Sequence, residues 1–472
     1  MRVVFIHGWS VTNTDTYGGL PAALAKKAPA GLKIEVSHLY LAKYVSFSDE
    51  VKVDDIARGM EHAVREEILP LLQPNERFAA VTHSTGGPVV RKWIDLFHSA
   101  ALAACPLGHL VMLAPANHGS ALAQLGKGRL SRVKSFVAEG VEPGAGVLDW
   151  LELGSDQGWE LNLAWLNYDC VAAGLYPFVL TGQKIDRKLY DNLNAYTGEA
   201  GSDGVVRVAA ANLNYGLLQL TQKDGGFAEP VLTASKPTAL GVLPGLSHSG
   251  DEIGIMRSVA ATDKGTHPTL RWLIKCLQVA DLAGYQALSA ELAALTAETQ
   301  KAERVEKVTT GFIFQRTFET NRYCMLVFRI HDDRGNNLSD YEVLFTAGPT
   351  YDPNHLPEGF FVDRQRNQLN RGKLTYYIDH DVMAKGFAKP QLKDCFGIRV
   401  MARPADGYAY YAVAEYQGSF SDLKKFLAPN QTLMIDIKLR RNVRQGVFQL
   451  TQNLGASNFS KQPKGKDLPP TV

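Results

Sequence analysis

The chain has 472 residues, which at about 150 residues per domain corresponds to about three domains, or to one large domain and one of ordinary size. Apolar residues make up 45% of the chain and charged residues 21%, a globular balance that excludes wholesale disorder, collagen and coiled coil. The net charge of +2 argues against a protein that coats nucleic acid, so no nucleic-acid partner is expected.

The apolar stretches and the cysteines indicate how the chain could contact a membrane and whether its thiols are reduced. No run of 18 apolar residues occurs, and the apolar stretch Val3–Ile6 is too short for a signal peptide, so any membrane contact is expected to be peripheral. The five cysteines are scattered without a C-x-x-C pair. This spacing predicts reduced thiols rather than a zinc site or a disulfide framework.

Strands and helices alternate over the first 270 residues. Short apolar runs predict buried strands at Val3–Ile6, Lys33–Tyr40, Phe78–Thr82, Leu110–Ala114 and Phe178–Gly182. Apolar side chains at helical spacing from Ile56 to Leu71, and the segment Pro88–Ser99, predict helices between the strands. The alternation indicates an α/β domain whose parallel-rich sheet is covered by helices on both faces.

An apolar, glycine-rich insertion interrupts this alternation at about residues 119–169. Insertions of this size in α/β domains are typical of lids and binding loops. Trp150, Trp159 and Trp165 recur in it, and tryptophan favours boundaries between apolar surface and water. We expect these three side chains to bind substrate, by shaping an acyl pocket or by contacting a bilayer. The alternative is burial in the core.

A second domain follows a helical connector. The segment from His267 to about Glu306 is predicted to be helical, with an interruption at Gly284. Beyond Val308 apolar residues alternate, which predicts a C-terminal antiparallel β-rich domain resembling a sandwich. The predicted domains are therefore residues 1–305 and 306–472, with a flexible polar tail from about residue 453.

One alternating strand of this second domain suggests a role for the domain. Leu433, Ile435, Ile437 and Leu439 lie close to the polar tail, and exposed strand edges must be covered or paired with a neighbour. We expect the domain to build an oligomer interface and to present the protein to a membrane. The alternative is that this strand closes its own sandwich.

The strongest chemical signal is the segment Thr82–Gly87, which reads THSTGG between a predicted strand and a predicted helix. A nucleophile elbow of the pattern G-x-S-x-G occupies this position in α/β-hydrolases and exposes its serine above the sheet. Threonine replaces the first glycine here, so the motif is degenerate. The pattern predicts Ser84 as the nucleophile, against the alternative of a simple tight turn.

The loop after the first strand is expected to help stabilise an oxyanion. In this fold that loop supplies one backbone amide, and the residue after the nucleophile supplies another. Gly8 and Trp9 of the HGW segment, together with Thr85, are therefore the predicted oxyanion-hole residues.

The acid and the base should follow the serine in the order acid, then histidine. Asp203 lies in a glycine-flanked loop after the Phe178–Gly182 strand, and Asp186 and Asp191 are its rivals. His248 lies in a loop of small residues 45 positions later and is the predicted general base.

Two other histidines receive structural roles. His267 precedes a proline at a predicted helix start, where capping or packing is expected. His83 adjoins the serine and is expected to pack or to support the site. The predicted mechanism is acyl transfer: His248 activates Ser84, Asp203 orients the imidazole, and water hydrolyses the acyl-enzyme without a metal or cofactor.

These motifs, with the SDG segment at Ser202–Gly204 and the LSHSG segment at Leu246–Gly250, resemble those of PlaB-type bacterial phospholipases A/lysophospholipases. The resemblance covers most of the chain, including the β-rich C-terminal region. It implies that Ser84, Asp203 and His248 match the family's triad and that the substrates are phospholipids and lysophospholipids. It also implies a homotetramer associated peripherally with the bacterial outer membrane, for which a cytoplasmic location is the alternative.

Two other functions compete with this interpretation. The chain could be a carboxylesterase or thioesterase that acts on soluble esters, which dependence of the rate on micelles or vesicles would exclude. It could also be a degenerate hydrolase scaffold that carries a β-rich binding or assembly module, against which the complete order of serine, acid and histidine argues.

Overall fold

The computed structural model describes residues 1–7, 16–29, 33–40, 50–123, 145–186, 200–224, 226–310 and 314–445. Before residue 305 the strands are β1 (Arg2–His7), β2 (Glu35–Tyr40), β3 (Phe78–His83), β4 (Leu107–Leu113), β5 (Tyr176–Thr181), β6 (Tyr215–Lys223), β7 (Gly226–Phe227), β8 (Val231–Ala234) and β9 (Ala239–Val242). The α-helices of the same region are α1 (Leu20–Lys26), α2 (Val53–Ala63), α3 (Gly86–His98), α4 (Ala145–Leu151), α5 (Asp156–Trp165), α6 (Val208–Ala211), α7 (Pro268–Leu277) and α8 (Leu282–Ala302).

A parallel sheet forms the centre of this region. Its strands pair in the order β2-β1-β3-β4-β5-β9, and every pair is parallel. All residues of β4 and β5 are buried, which explains why both strands appear in the sequence as continuous apolar runs. Trp93 of α3 packs in the core on one face and Leu273 of α7 in the core on the other. The predicted α/β fold is confirmed.

The helical connector breaks earlier than the sequence suggests. The chain leaves α7 after Leu277 and enters α8 at Leu282, so the predicted interruption at Gly284 is wrong. Asp281 caps α8 by accepting a hydrogen bond from the Gly284 N–H at 2.8 Å. The capping carboxylate satisfies a terminal amide, and the glycine is simply accommodated in the first turn.

Beyond residue 305 the chain is mostly β-structure. The strands are β10 (Val305–Thr310), β11 (Phe314–Glu319), β12 (Tyr323–Asp332), β13 (Tyr341–Ala347), β14 (Phe361–Arg366), β15 (Lys373–Asp379), β16 (Cys395–Ala402), β17 (Ala409–Tyr411), β18 (Ala414–Ser419), β19 (Thr432–Leu439) and β20 (Arg441–Val443). Two short α-helices join them, α9 (His380–Phe387) and α10 (Phe420–Leu423). Strands β13, β16 and β18 form an antiparallel sheet, as expected for this region.

The larger C-terminal sheet takes strands from both sides of residue 305. Its order is β14-β15-β12-β19-β6-β7, and β8 also pairs with β6. Strand β19 runs parallel to both β12 and β6, whereas the other pairs are antiparallel. The division into units at residue 305 stays a prediction, but the segment from β6 to β8 belongs structurally to this C-terminal sheet.

The two faces of this sheet contact different cores. Leu326 and Ile435 point into the core that the smaller antiparallel sheet closes, together with Ile398. Val327 and Met434 point the other way, into the core beneath α3 and α5. Because β19 is a central, buried strand whose alternating apolar residues pack in the C-terminal core, it closes its own sandwich, as in the alternative given above. The expectation that the domain builds an oligomer interface stays a prediction. The predicted tail from residue 453 lies outside the described residues.

Candidate active site

The turn from β3 to α3 holds Ser84 in a rarely occupied backbone conformation. Its φ is +52°, in the left-handed region, and its N–H donates to the Leu113 carbonyl at 3.0 Å. Non-glycine residues adopt such a φ only where the surrounding structure enforces it, and a nucleophile elbow is such a place. Ser84 is only half-buried and lies at the carboxyl edge of the sheet, directly after β3.

The glycines after the serine explain how the degenerate motif fits. A Cβ on Gly86 would lie 3.1 Å from the Thr82 Cβ, and a Cβ on Gly87 would lie 2.8 Å from the Pro115 Cβ. Strand and helix therefore approach closely at both positions. Threonine fits in place of the first motif glycine because Gly86 leaves room for it.

Asp203 lies in a buried loop and its carboxylate is fully paired. Its Oδ1 accepts hydrogen bonds from the N–H groups of Val205 at 3.0 Å and Val206 at 2.8 Å. Its Oδ2 lies 2.9 Å from Nδ1 of His248. The carboxylate is completely removed from solvent, and backbone amides fix its direction. It can therefore hold the imidazole in one orientation and one tautomer.

The loop that carries His248 is anchored to the same edge of the sheet. The His248 N–H donates to the Asp203 carbonyl at 2.9 Å, so backbone and side chain both join the two residues. At the end of β5, a Cβ on Gly182 would lie only 1.9 Å from the Leu246 carbonyl oxygen. Only glycine permits this close approach, which brings the histidine loop next to β5.

His83 connects the serine turn to the histidine loop. Its Nε2 lies 3.0 Å from the His248 carbonyl oxygen, and the two imidazole rings have centroids 4.6 Å apart. Burial, and then the nearby charge of His248, lower the pKa of His83 well below its ordinary value. The neutral ring therefore donates from Nε2 to the His248 carbonyl. The sequence predicted that His83 supports the site because it adjoins Ser84, but it did not indicate the group to which His83 bonds.

The rival residues are placed differently. Asp186 lies beside Gly250, with an oxygen 3.0 Å from where a Cβ would stand, whereas Asp203 hydrogen-bonds the imidazole of His248. His267 caps α7 by accepting from the Thr269 N–H at 3.2 Å, the structural role that its position before proline predicts. Asp191 lies outside the described residues.

The predicted oxyanion-hole residues are partly within the described chain. Thr85 directly precedes α3, so its amide lies at the positive end of the helix, where a developing anion is stabilised. Gly8 and Trp9 lie outside the described residues, and their contribution stays a prediction.

The tryptophans of the insertion are buried rather than presented at the surface. Trp150, Trp159 and Trp165 are 3%, 3% and 6% exposed, respectively. The Trp159 ring packs on Arg329 and Lys373, cross-strand neighbours on β12 and β15, and each charge lies 5.0 Å from the ring centroid. The expectation that these indoles contact a bilayer is therefore wrong, because all three are buried in one hydrophobic core, as in the alternative given above. Their contribution to an acyl pocket stays a prediction.

The described residues form neither a metal-ion cluster nor a membrane-spanning helix. Within the ranges given above, no three His, Cys, Asp or Glu side chains are grouped as they would be to hold a metal ion. No helix in that part of the chain has the length and apolar character needed to cross a membrane.

A parallel sheet with helices on both faces, a serine held at positive φ on the strand-to-helix turn and a buried Asp–His pair at the same edge define an α/β-hydrolase of the serine type. Solved structures agree. Phospholipase PlaB from Legionella pneumophila is 54% identical, with a TM-score of 0.92 and 99% of each chain covered. The same enzyme in complex with thio-NAD is 51% identical, with a TM-score of 0.90, covering 99% of this chain and 100% of that one.

The chain belongs to the PlaB phospholipase family, and it is a serine ester hydrolase. The models of known protein families and the curated protein sequences gave no match to it.

Proposed function

We propose that this protein releases fatty acids from glycerophospholipids and lysophospholipids through an acyl-enzyme on Ser84. The observation that carries the proposal is the buried pair of Asp203 and His248 at the sheet edge where Ser84 stands on its strained turn. The relationship to phospholipase PlaB over nearly the whole chain supports lipid esters as the substrate class.

The reaction proceeds in two acyl-transfer steps. His248 accepts the Ser84 proton as the serine oxygen attacks the ester carbonyl, and the resulting imidazolium is stabilised by the Asp203 carboxylate. The Thr85 amide faces the developing oxyanion. The imidazolium then protonates the leaving alcohol of the lipid, and the same base activates water to release the fatty acid.

Assembly and location form a second part of the proposal. We propose that the protein works as a homotetramer bound peripherally to the bacterial outer membrane, as the family resemblance implies. Light scattering of the purified protein and fractionation of cell envelopes test these two points separately. A monomer, or an enzyme found only in the cytoplasm, would overturn the corresponding point.

Fatty-acid release from vesicles tests the lipid activity. Vesicles of phosphatidylcholine, with and without lysophosphatidylcholine, are incubated with the wild type and with Ser84→Ala, for which a loss of about 10³-fold or more is expected. Ser99→Ala is the matched control, because Ser99 is exposed at the far end of α3 and should leave the rate unchanged.

Two results would contradict the proposal. Hydrolysis by Ser84→Ala at the wild-type rate would move the nucleophile elsewhere. Hydrolysis of short soluble esters without any release from vesicles or micelles would favour a carboxylesterase or thioesterase.

A further inference from the structure

The loop that carries Asp203 rests on side chains of the C-terminal sheet. We call residues 200–207 the acid loop. The Tyr377 hydroxyl of β15 donates to the Ala200 carbonyl at 3.0 Å. Gly201 has a φ of +76°, and a Cβ there would lie 2.3 Å from a ring carbon of Tyr323 and 2.6 Å from the Tyr377 hydroxyl oxygen. The loop backbone therefore lies directly against these two tyrosines, whose rings stack with centroids 5.0 Å apart.

The other end of the acid loop is held by a buried ion pair. Arg207 is 2% exposed, and its guanidinium carbon lies 4.1 Å from the Tyr377 ring centroid. The guanidinium pairs with the Asp363 carboxylate of β14. A buried cation is strongly destabilising without an anionic partner, so Asp363 fixes where Arg207 can lie.

The loop is closed between these two attachment points. The Val208 N–H donates to the Gly201 carbonyl at 3.0 Å, and the Asp203 N–H donates to the Val206 carbonyl at 3.2 Å. On the side of the hydrolase sheet, the Ser120 hydroxyl donates to the Val205 carbonyl at 2.6 Å. The direction of the Asp203 carboxylate is thus set by contacts from both regions of the chain.

We infer that Tyr377 and Asp363 are positioning residues for the ester hydrolysis. They hold the acid loop, through the Ala200 carbonyl and Arg207, where Asp203 faces the imidazole of His248. This inference rests on the proposed function, in which Asp203 orients that imidazole. Catalytic groups must be held within about 0.5 Å of their productive geometry, so loosening either attachment should slow the chemistry.

Tyr377→Phe and Asp363→Asn test this role in the full-length enzyme. The first variant keeps the ring beneath Arg207 and removes only the hydroxyl, and the second removes the charge that pairs with Arg207. For a short soluble ester we expect kcat to fall about ten- to hundredfold, since a misplacement of about 1 Å can cost about 10²-fold, while KM stays within about twofold. Labelling of Ser84 by a fluorophosphonate should slow in parallel, and Asp363→Glu should recover part of the loss.

Tyr376→Phe is the matched control. Tyr376 directly precedes Tyr377 on β15 and lies in the C-terminal core, where its hydroxyl donates to the Val343 carbonyl at 3.4 Å. This variant also loses a tyrosine hydroxyl from the same strand, so it should lower the melting temperature to a similar extent and leave kcat unchanged. An equal loss of kcat in Tyr376→Phe and Tyr377→Phe would show a general effect on stability and overturn the inference.

The remaining outcomes separate this inference from the proposed function. Wild-type kcat in both Tyr377→Phe and Asp363→Asn, with Asp203→Asn inactive, would overturn the positioning role and leave the proposed triad intact. A raised KM with unchanged kcat would assign the two residues to substrate binding and would also overturn it. High activity of Asp203→Asn would instead remove the acid from the proposed function.

Discussion

Replacing Asp203 by asparagine changes the proton arrangement of the candidate site with little change in size. The carboxylate Oδ1 accepts from the N–H groups of Val205 and Val206, so the amide oxygen of an asparagine should keep that position. The amide NH2 would then face Nδ1 of His248, where Oδ2 now lies at 2.9 Å. Two donors cannot share that contact, so Nδ1 must become the acceptor and the proton moves to Nε2. That nitrogen is the one that has to accept the proton of Ser84.

The size of the effect follows from this tautomer. Holding the wrong tautomer in a serine hydrolase triad lowers kcat by about 10⁴-fold, which at about 1.36 kcal/mol per tenfold corresponds to about 5 kcal/mol of transition-state stabilisation. The backbone hydrogen bonds to the loop are retained, so the fold should remain intact by circular dichroism. The measurement is kcat and KM for a short soluble ester, alongside the melting temperature.

Asp186→Asn is the matched control for this prediction. Asp186 is the described rival for the acid, and the same substitution there should leave kcat within about threefold, as expected for a carboxylate outside a triad. If Asp203→Asn kept more than a tenth of the wild-type kcat, or if Asp186→Asn lost as much, the acid would be wrongly assigned.

Three further predictions concern individual buried or half-buried side chains. Because Trp159 is buried, Trp159→Ala should destabilise the fold by about 3–5 kcal/mol and should reduce hydrolysis of vesicles and of soluble esters equally. A loss of activity on vesicles alone, with an unchanged melting temperature, would contradict this prediction. Burial alone would raise the pKa of Asp436, but hydrogen bonds from His331 and Arg329 bring it to about 2. Because an unfolded Asp has a pKa of about 3.9, this carboxylate stabilises the fold above about pH 4 and loses its contribution as the pH falls to about 2. In denaturant titrations, Asp436→Asn should therefore weaken the dependence of the unfolding free energy on pH between about pH 4 and pH 2. An unchanged pH dependence in this variant would refute the prediction. His83→Phe should lower kcat by about tenfold, because the carbonyl it bonds loses a buried donor, and a wild-type kcat would rule out that support.

The strand, the turn and the helix start around Ser84 were predictable because a short segment of the sequence specifies each of them. Strand β3, the turn at Ser84 and the start of α3 follow from one apolar run and the small residues after it. The loop positions of Asp203 and His248 follow from the chain order of hydrolase triads, and the structure brings the two side chains together. Local sequence encodes the strand and the turn because strand burial and turn chemistry act over a few residues, whereas the acid and the base were placed by the chain order of hydrolase triads.

The contacts between distant segments could not be predicted in the same way. Tyr377 and Ala200 are 177 positions apart, and Thr432 and Ala209, whose side chain and carbonyl share a hydrogen bond, are 223 apart. No periodic pattern in the sequence shows which strands will pair, so the sequence could not predict that β6 joins the C-terminal sheet. The sequence could not decide between burial and exposure of Trp159 for the same reason, since the cations that cover its ring come from β12 and β15.

The central claim is that Ser84 is the nucleophile, activated by His248 and Asp203, for the release of fatty acids from phospholipids. It is tested most directly by treating the full-length enzyme with a fluorophosphonate and mapping the modified residue by peptide mass spectrometry while following fatty-acid release from phospholipid vesicles. We predict a single phosphonyl group on the peptide that carries Ser84, with activity lost in proportion to its occupancy. Complete inhibition with Ser84 unmodified, or full modification of Ser84 with hydrolysis continuing, would contradict the account.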